Sequence, residues 1–350
     1  MAWSVGLAEG GKSSNREADT IISGNTEVSI FMTLSSRFSH AIVTGAAGFI
    51  GSHLVDALLS EGISVLAIDD FSAGKLENLS NHKDNPKLKV VECDITRIED
   101  LKPHFNGVDI VFHQACSKNT ISFSNPARDL EVNALGTLNM LICARDGGVK
   151  KFIHASTGSV YGEAQYYPTD EEHPYRPAGY YGVSKLAGEQ YVRAFNDLFG
   201  LDTTILRYYH VFGPRQDSSD VGGVVSIFAR KALTGESPVI YGDGTQLRSF
   251  TYVDDIVAIN KHVAMLDGFS GEAFNCASGV KVTIQELADS ILKYFNRNDL
   301  NIIYQDWKPG DVLKFDVSNE KLLNTGFKFN VGYQQGLALT LESSKIHYSK

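Results

Sequence analysis

Three evenly spaced glycines, Gly45, Gly48 and Gly51, lie in AIVTGAAGFIGSHL, between an apolar run and the helical stretch FIGSHLVDALLS. Missing side chains there let the chain turn tightly at Gly45, approach a pyrophosphate at Gly48 and pack a helix on a strand at Gly51. The helix start adds N–H groups and partial positive charge suited to phosphate. A glycine turn without a ligand is the plain alternative. Against it stands the next apolar run, SVLAIDD, which ends in Asp69 and Asp70. A carboxylate at Asp69 can accept both hydroxyls of an adenosine ribose and would repel a 2′-phosphate, so the pattern predicts NAD rather than NADP. Asp70 reads as a turn or helix cap.

A second set is Tyr181 and Lys185 in YYGVSK. Four residues apart on a helix, they share one face. A tyrosine, with a pKa of about 10, is a poor base at neutral pH. A neighbouring ammonium and a positive nicotinamide ring would favour the phenolate. A shift of about three units corresponds to about 4 kcal/mol. Such a group can take a hydroxyl proton while hydride leaves to NAD. Tyr180 has Ser184 rather than lysine four residues on, and reads as structural or substrate-facing.

These residues need a scaffold, and the runs HAIVTG, SVLAIDD, LKVVECDI, VDIVFHQA, KKFIHAST and DTTILRYYHV supply it. Helix-length segments separate them, which predicts an α/β fold: a doubly wound parallel sheet of about seven strands over 40–209, with right-handed crossovers. Beyond Gly213 the pattern loosens into Gly- and Pro-punctuated segments. Residues 1–38 are rich in Ser, Gly, Asn, Thr and Glu and read as a mostly mobile extension; Met32 is a candidate start for a shorter form.

The 350 residues are 43% apolar, enough for a real core, and carry a net charge of −9. That charge argues against a general nucleic-acid binder. No apolar run approaches membrane-spanning length, and the N-terminus lacks the pattern of a secretory signal. Cys93, Cys116, Cys143 and Cys276 lie far apart without CxxC, as expected of free thiols in a reducing cytoplasm rather than disulfides or a metal site.

The GxxGxxG spacing of TGAAGFIG, the YxxxK pair and the strand order resemble the extended short-chain dehydrogenase/reductase superfamily, and within it the nucleotide-sugar epimerase/dehydratase branch. The resemblance covers essentially residues 40–340. It implies an NAD-binding Rossmann domain over 40–209 plus 248–276, and a smaller C-terminal nucleotide-sugar-binding domain over 210–247 plus 277–350. It places Thr157 of FIHASTGSVYG as the catalytic hydroxyl beside Tyr181 and Lys185, with helix capping as the plain alternative. Ser156 and Ser159 would contact substrate. The cofactor set it implies is Gly45, Gly48, Phe49, Ile50, Gly51, Asp69, Asp94, Ile95, Ala115, Cys116, Lys118, Tyr181 and Lys185, with Asn133 supporting the network. Lys118, His210, Arg248 and Asp311 would serve the substrate, Arg248 at its diphosphate and Asp311 at its nucleoside ribose. Any one of these charges, taken alone, would more often be a solvated surface group.

The departures bear on the sugar. His210 stands where the epimerases carry asparagine, Ser249 where aspartate is frequent and Lys308 where arginine is frequent, and DVLKFDVS is about two residues shorter than the family pattern. Gly158 and Ser159 cannot supply the acid and base that eliminate water in the dehydratases. The resemblance therefore implies an NAD-dependent epimerase inverting C4 of a UDP-hexose. A decarboxylase, 2-epimerase or reductase on the same scaffold is the alternative, and a non-catalytic NAD-binding regulator the alternative of another class. DLEVNALGTLNMLICARDG and YYGVSKLAGEQYVRAFNDLFG are expected to pair two copies through a four-helix bundle.

Overall fold

A computed structural model describes residues 33–117, 119–307 and 313–348. Seven parallel strands form the central sheet: β1 (His40–Thr44), β2 (Ser64–Asp69), β3 (Leu88–Glu92), β4 (Ile110–His113), β5 (Lys151–Thr157), β6 (Thr203–Tyr208) and β7 (Ala273–Cys276). Their spatial order is β7-β6-β5-β4-β1-β2-β3. All six runs read from the sequence are strands. The seventh does not come from 40–209 but from AFNC, where Asn275 interrupts the apolar run and Gly271 and Glu272 precede it.

Alternation along the strands builds two cores. Ala41, Val43, Val65, Ala67 and Phe112 face helices α1 (Phe49–Ser60) and α4 (Val253–Met265), meeting Leu54, Leu58, Ile256 and Ile259. Ile42, Val111, Phe152 and Ile205 point to the other face, against α2 (Thr137–Asp146) and α3 (Tyr180–Phe199), meeting Met140, Leu141 and Val192. A sheet covered on both faces explains why its strands read as near-continuous apolar runs.

A third cluster lies outside the sheet. Phe212, Phe228, Ile240, Phe250, Leu287 and Leu337 pack together with helices Val224–Thr234, Ile284–Tyr294 and Tyr333–Tyr348. The segments after 277 do not all belong to it, since Leu322 and Phe327 return to the core beneath α1.

The extension expected over 1–38 lies outside the described residues as far as Met32. Its last residues belong to the core: Leu34 and Phe38 are buried, and the Leu34 N–H donates to Glu61 at 3.0 Å. Two large apolar side chains four residues apart, on the turn entering β1, bury themselves despite the polar composition before them. Among the described residues no helix is long and apolar enough to cross a membrane.

Candidate active site

The order reverses where β1 lies between β2 and β4, and in such sheets the crevice at the carboxyl ends of the strands receives the ligand. Gly45 opens it with φ +61°. A Cβ there would come within 2.9 Å of the Ala115 backbone, and one on Gly51 within 2.1 Å of the Gly45 carbonyl oxygen. Gly48 precedes α1, whose first turn carries Phe49 and Ile50, and among the described residues no side chain caps that helix start. The glycine spacing therefore packs β1, β4 and α1 together and leaves bare backbone at the crevice.

Asp69 ends β2 and is buried. Its carboxylate accepts the N–H of Ala47 at 2.9 Å and of Phe71 at 2.8 Å. Burial pushes its pKa up, against those two N–H groups. A carboxylate offers about four acceptor positions, so two remain in reach of a ribose diol; the residues fit NAD. Asp70 accepts from the N–H and hydroxyl of Ser72, as expected of a turn residue.

After β3, Asp94 accepts from the Thr96 N–H and hydroxyl, both at 2.9 Å, and from Arg128 at 2.9 Å. Burial raises its pKa, but these bonds outweigh it and hold the carboxyl low. Ile95 is buried, its side chain filling the space over Gly136. After β4, the Ala115 N–H donates to Thr44 and Cys116 is exposed.

Asn133 sits in a π-helical turn, Glu131–Gly136, just before α2. Its side chain accepts the Ser117 N–H at 2.9 Å and donates to Asp129 at 2.9 Å and Ser184 at 3.0 Å. Asn133 thus holds the loop after β4 to α3.

Thr157 ends β5. Its hydroxyl accepts the Ser159 N–H at 3.1 Å, lies 3.2 Å from the Ser159 hydroxyl and acts on the neighbouring Tyr181 phenol. It thus caps a turn and meets the tyrosine at once. Lys185 is buried and donates to the Ala155 carbonyl at 2.6 Å. Burial lowers its pKa, while nearby Cys116, Glu189 and Asp129 pull it back up. Burial also pushes the Tyr181 phenol above its ordinary value, and the Thr157 hydroxyl only partly offsets this. The phenolate expected from the sequence calls on the nicotinamide ring as well as on the lysine, and the protein's own groups act here without that ring.

Ser156 requires a correction. Successive strand side chains point to opposite faces, and Ser156 turns away from Thr157 to donate to Glu189 at 2.5 Å. Tyr209 lies against Gly158, where a Cβ would come within 2.2 Å of its ring. Phe315 packs on Tyr209 at 6.1 Å and on His210 at 5.0 Å, and Arg248 lies 5.3 Å over the Phe315 ring. His210 and Arg248 are thus brought together at Phe315. Burial, then Arg248, pulls the His210 pKa down to about 3. Lys118 and Asp311 lie outside the described residues.

Sequence reasoning missed Arg128, Tyr209, Phe315 and Glu189. Glu189 had a signal: it continues the four-residue step from Tyr181 through Lys185. Arg128, Tyr209 and Phe315 carry none that spacing reveals.

A family model for the NAD dependent epimerase/dehydratase family matches residues 41–277. The chain belongs to that family. This epimerase/dehydratase resembles a putative UDP-glucose 4-epimerase of Methanocaldococcus jannaschii, 39% identical over 300 residues, or 85% of this chain and 95% of the relative. Among solved structures, the UDP-glucose 4-epimerase of Thermotoga maritima, determined with UDP-glucose, superposes with TM-score 0.83 at 36% identity, covering 88% of this chain and 99% of that one. A UDP-N-acetylglucosamine 4-epimerase of Methanobrevibacter ruminantium, in complex with UDP-N-acetylmuramic acid, gives TM-score 0.84 at 34% identity, covering 89% and 99%.

Proposed function

We propose that the protein is an NAD-dependent epimerase that inverts C4 of a UDP-hexose through a 4-keto sugar. The convergence of Thr157, Tyr181 and Lys185 at the end of β5 carries this reading. Tyr181 takes the proton of the C4 hydroxyl. Thr157 orients that hydroxyl and donates to the Tyr181 phenolate, which becomes the phenol as it takes the proton. Lys185, held by the Ala155 carbonyl, places positive charge behind the phenol. NAD, held by the glycine turn and Asp69, supplies a hydride acceptor that each cycle restores.

Residues 40–209 plus 248–276 are the cofactor domain in this reading, and 210–247 plus 277–350 the nucleotide-sugar domain, except for the stretch around Leu322 and Phe327, which packs into the core beneath α1. Arg248 serves the diphosphate, with Lys118 and Asp311 completing the substrate contacts; His210 and Ser159 face the sugar. The UDP choice rests on the substrates named for the relatives. Gly158 and Ser159 offer no acid or base for water elimination, and the Tyr209 ring fills the space a side chain at 158 would need.

Two copies pair through the helices around 126–146 and 180–199. Leu130, Leu135, Tyr180, Val183, Leu198 and Phe199 are exposed there and support this face. The cytoplasm is the proposed place of action, in keeping with four free thiols. Incubation with UDP-, CDP-, GDP- and dTDP-sugars and product identification by NMR tests the function. Interconversion of UDP-glucose and UDP-galactose, or of their N-acetyl or uronate forms, is expected. Loss of carbon dioxide from UDP-glucuronate would replace the reading with decarboxylation.

A further inference from the structure

Tyr181, Lys185 and Glu189 follow one another at single-turn steps along the same face of α3. Glu189 is fully buried, and its carboxylate accepts from Ser156 at 2.5 Å and from Arg207 at 3.1 and 2.8 Å. Arg207 lies on β6, in register with Ser156. Its guanidinium also donates to the Tyr161 hydroxyl at 2.5 Å and the Tyr175 hydroxyl at 2.6 Å, and stacks on both rings. We propose that Glu189 is a positioning residue for Thr157 and Lys185, pinning the end of β5 to α3 through Ser156 and Arg207.

The geometry makes two pins side by side. Lys185 bonds the carbonyl of Ala155, and Glu189 bonds the side chain of Ser156, the residue before Thr157. Together they fix helix against strand where a hydroxyl and an ammonium must both face Tyr181. An apolar pair would fill the same volume, often at equal or better stability, because burying two charges costs several kcal/mol per ion before their attraction is counted. The ion pair adds direction and charge that an apolar pair lacks.

The charge acts on Lys185. Among the described residues, the ionisable groups that act on this lysine are Cys116 after β4, Asp129 before α2, Glu189 on its own helix, and His113 and His154 from β4 and β5. Burial keeps both histidines neutral, so Glu189 and Asp129 are the carboxylates that oppose the desolvation of the Lys185 ammonium.

The kinetic part of this inference rests on the proposed function; the titration part does not. Lysine labelled with carbon-13 at Cε, with the Lys185 resonance assigned by its loss in Lys185→Arg, reports the titration directly in the full chain. In Glu189→Gln, Lys185 is expected to titrate about one pH unit lower, and kcat for UDP-glucose to fall about tenfold with KM within about twofold, because alignment rather than binding is lost. An unchanged Lys185 titration overturns the proposal. Glu189→Gln leaves a buried guanidinium unpaired and can fail to fold. The double variant Glu189→Gln/Arg207→Met removes both charges, and there too Lys185 must titrate below wild type, equality again overturning the proposal. Wild-type protein that binds NAD but converts no UDP-sugar removes the proposed function and leaves the titration as the test of Glu189.

Discussion

Around Gly45, Gly48 and Gly51 the proposed site is made of backbone; around His210, Arg248 and Phe315 it is made of side chains from distant segments. In the first region a tight turn, a bare helix start and a carboxylate on two N–H groups define the surface. In the second, a histidine after β6, an arginine near 248 and a phenylalanine near 315 meet only through tertiary packing. A backbone cradle admits almost no variation, since any Cβ strikes main chain. A side-chain cluster can exchange members and keep its fold. The contrast matches what each part is proposed to do: one holds an invariant cofactor, the other distinguishes sugars.

The largest effect should come from the backbone region. Gly51→Val places atoms on the Gly45 carbonyl, only 2.1 Å from the first added carbon. No NAD should be recovered from the variant after denaturation, and its melting temperature should fall. Retained NAD would mean that the strand–helix contact yields more easily than the backbone argument holds.

Next comes the group between the two regions. Tyr181→Phe keeps the ring and removes the proton acceptor, so turnover should drop by at least about a hundredfold, with NAD still bound. Thr157→Val removes an orienting hydrogen bond and should cost less, about tenfold.

The side-chain region should respond more mildly and in a different parameter. Arg248→Met should leave the fold and NAD content unchanged. It should raise KM by about ten- to a hundredfold, the scale of one charge-assisted hydrogen bond, measured by initial rates. A fall in NAD content instead would erase the distinction between the regions. The smallest effect is expected from His210→Asn. Burial keeps this histidine neutral at working pH, so one polar, uncharged group replaces another. Activity on UDP-glucose should stay within about threefold, while the ratio of rates on different UDP-sugars should change.

The same contrast governs what was legible in the sequence. Six strands, the glycine turn and Asp69 follow from local period and spacing, because backbone requirements are local. Tyr181 and Lys185 were legible because one helix carries both. The seventh strand was not, since Asn275 breaks its short apolar run. Leu34 and Phe38 were hidden by the polar composition around them. Ser156 and Thr157 are adjacent hydroxyls of like chemistry, and only the alternation of β5 sends them to opposite faces. Tyr209, Phe315 and Arg128 act through partners far away in the chain, which no spacing rule reaches. The spacing of Tyr181 and Lys185 carries no information on burial, whose desolvation is the largest influence on both groups.

The central claim is that Thr157, Tyr181 and Lys185 carry a reversible oxidation that leaves no net redox change. Purified protein with UDP-glucose, followed at once by mass spectrometry of the sugar nucleotide and by NADH absorbance, tests it most directly. The account predicts a new sugar nucleotide of identical mass and no accumulating NADH. A product lighter by one water, or NADH released in step with substrate consumed, would contradict it.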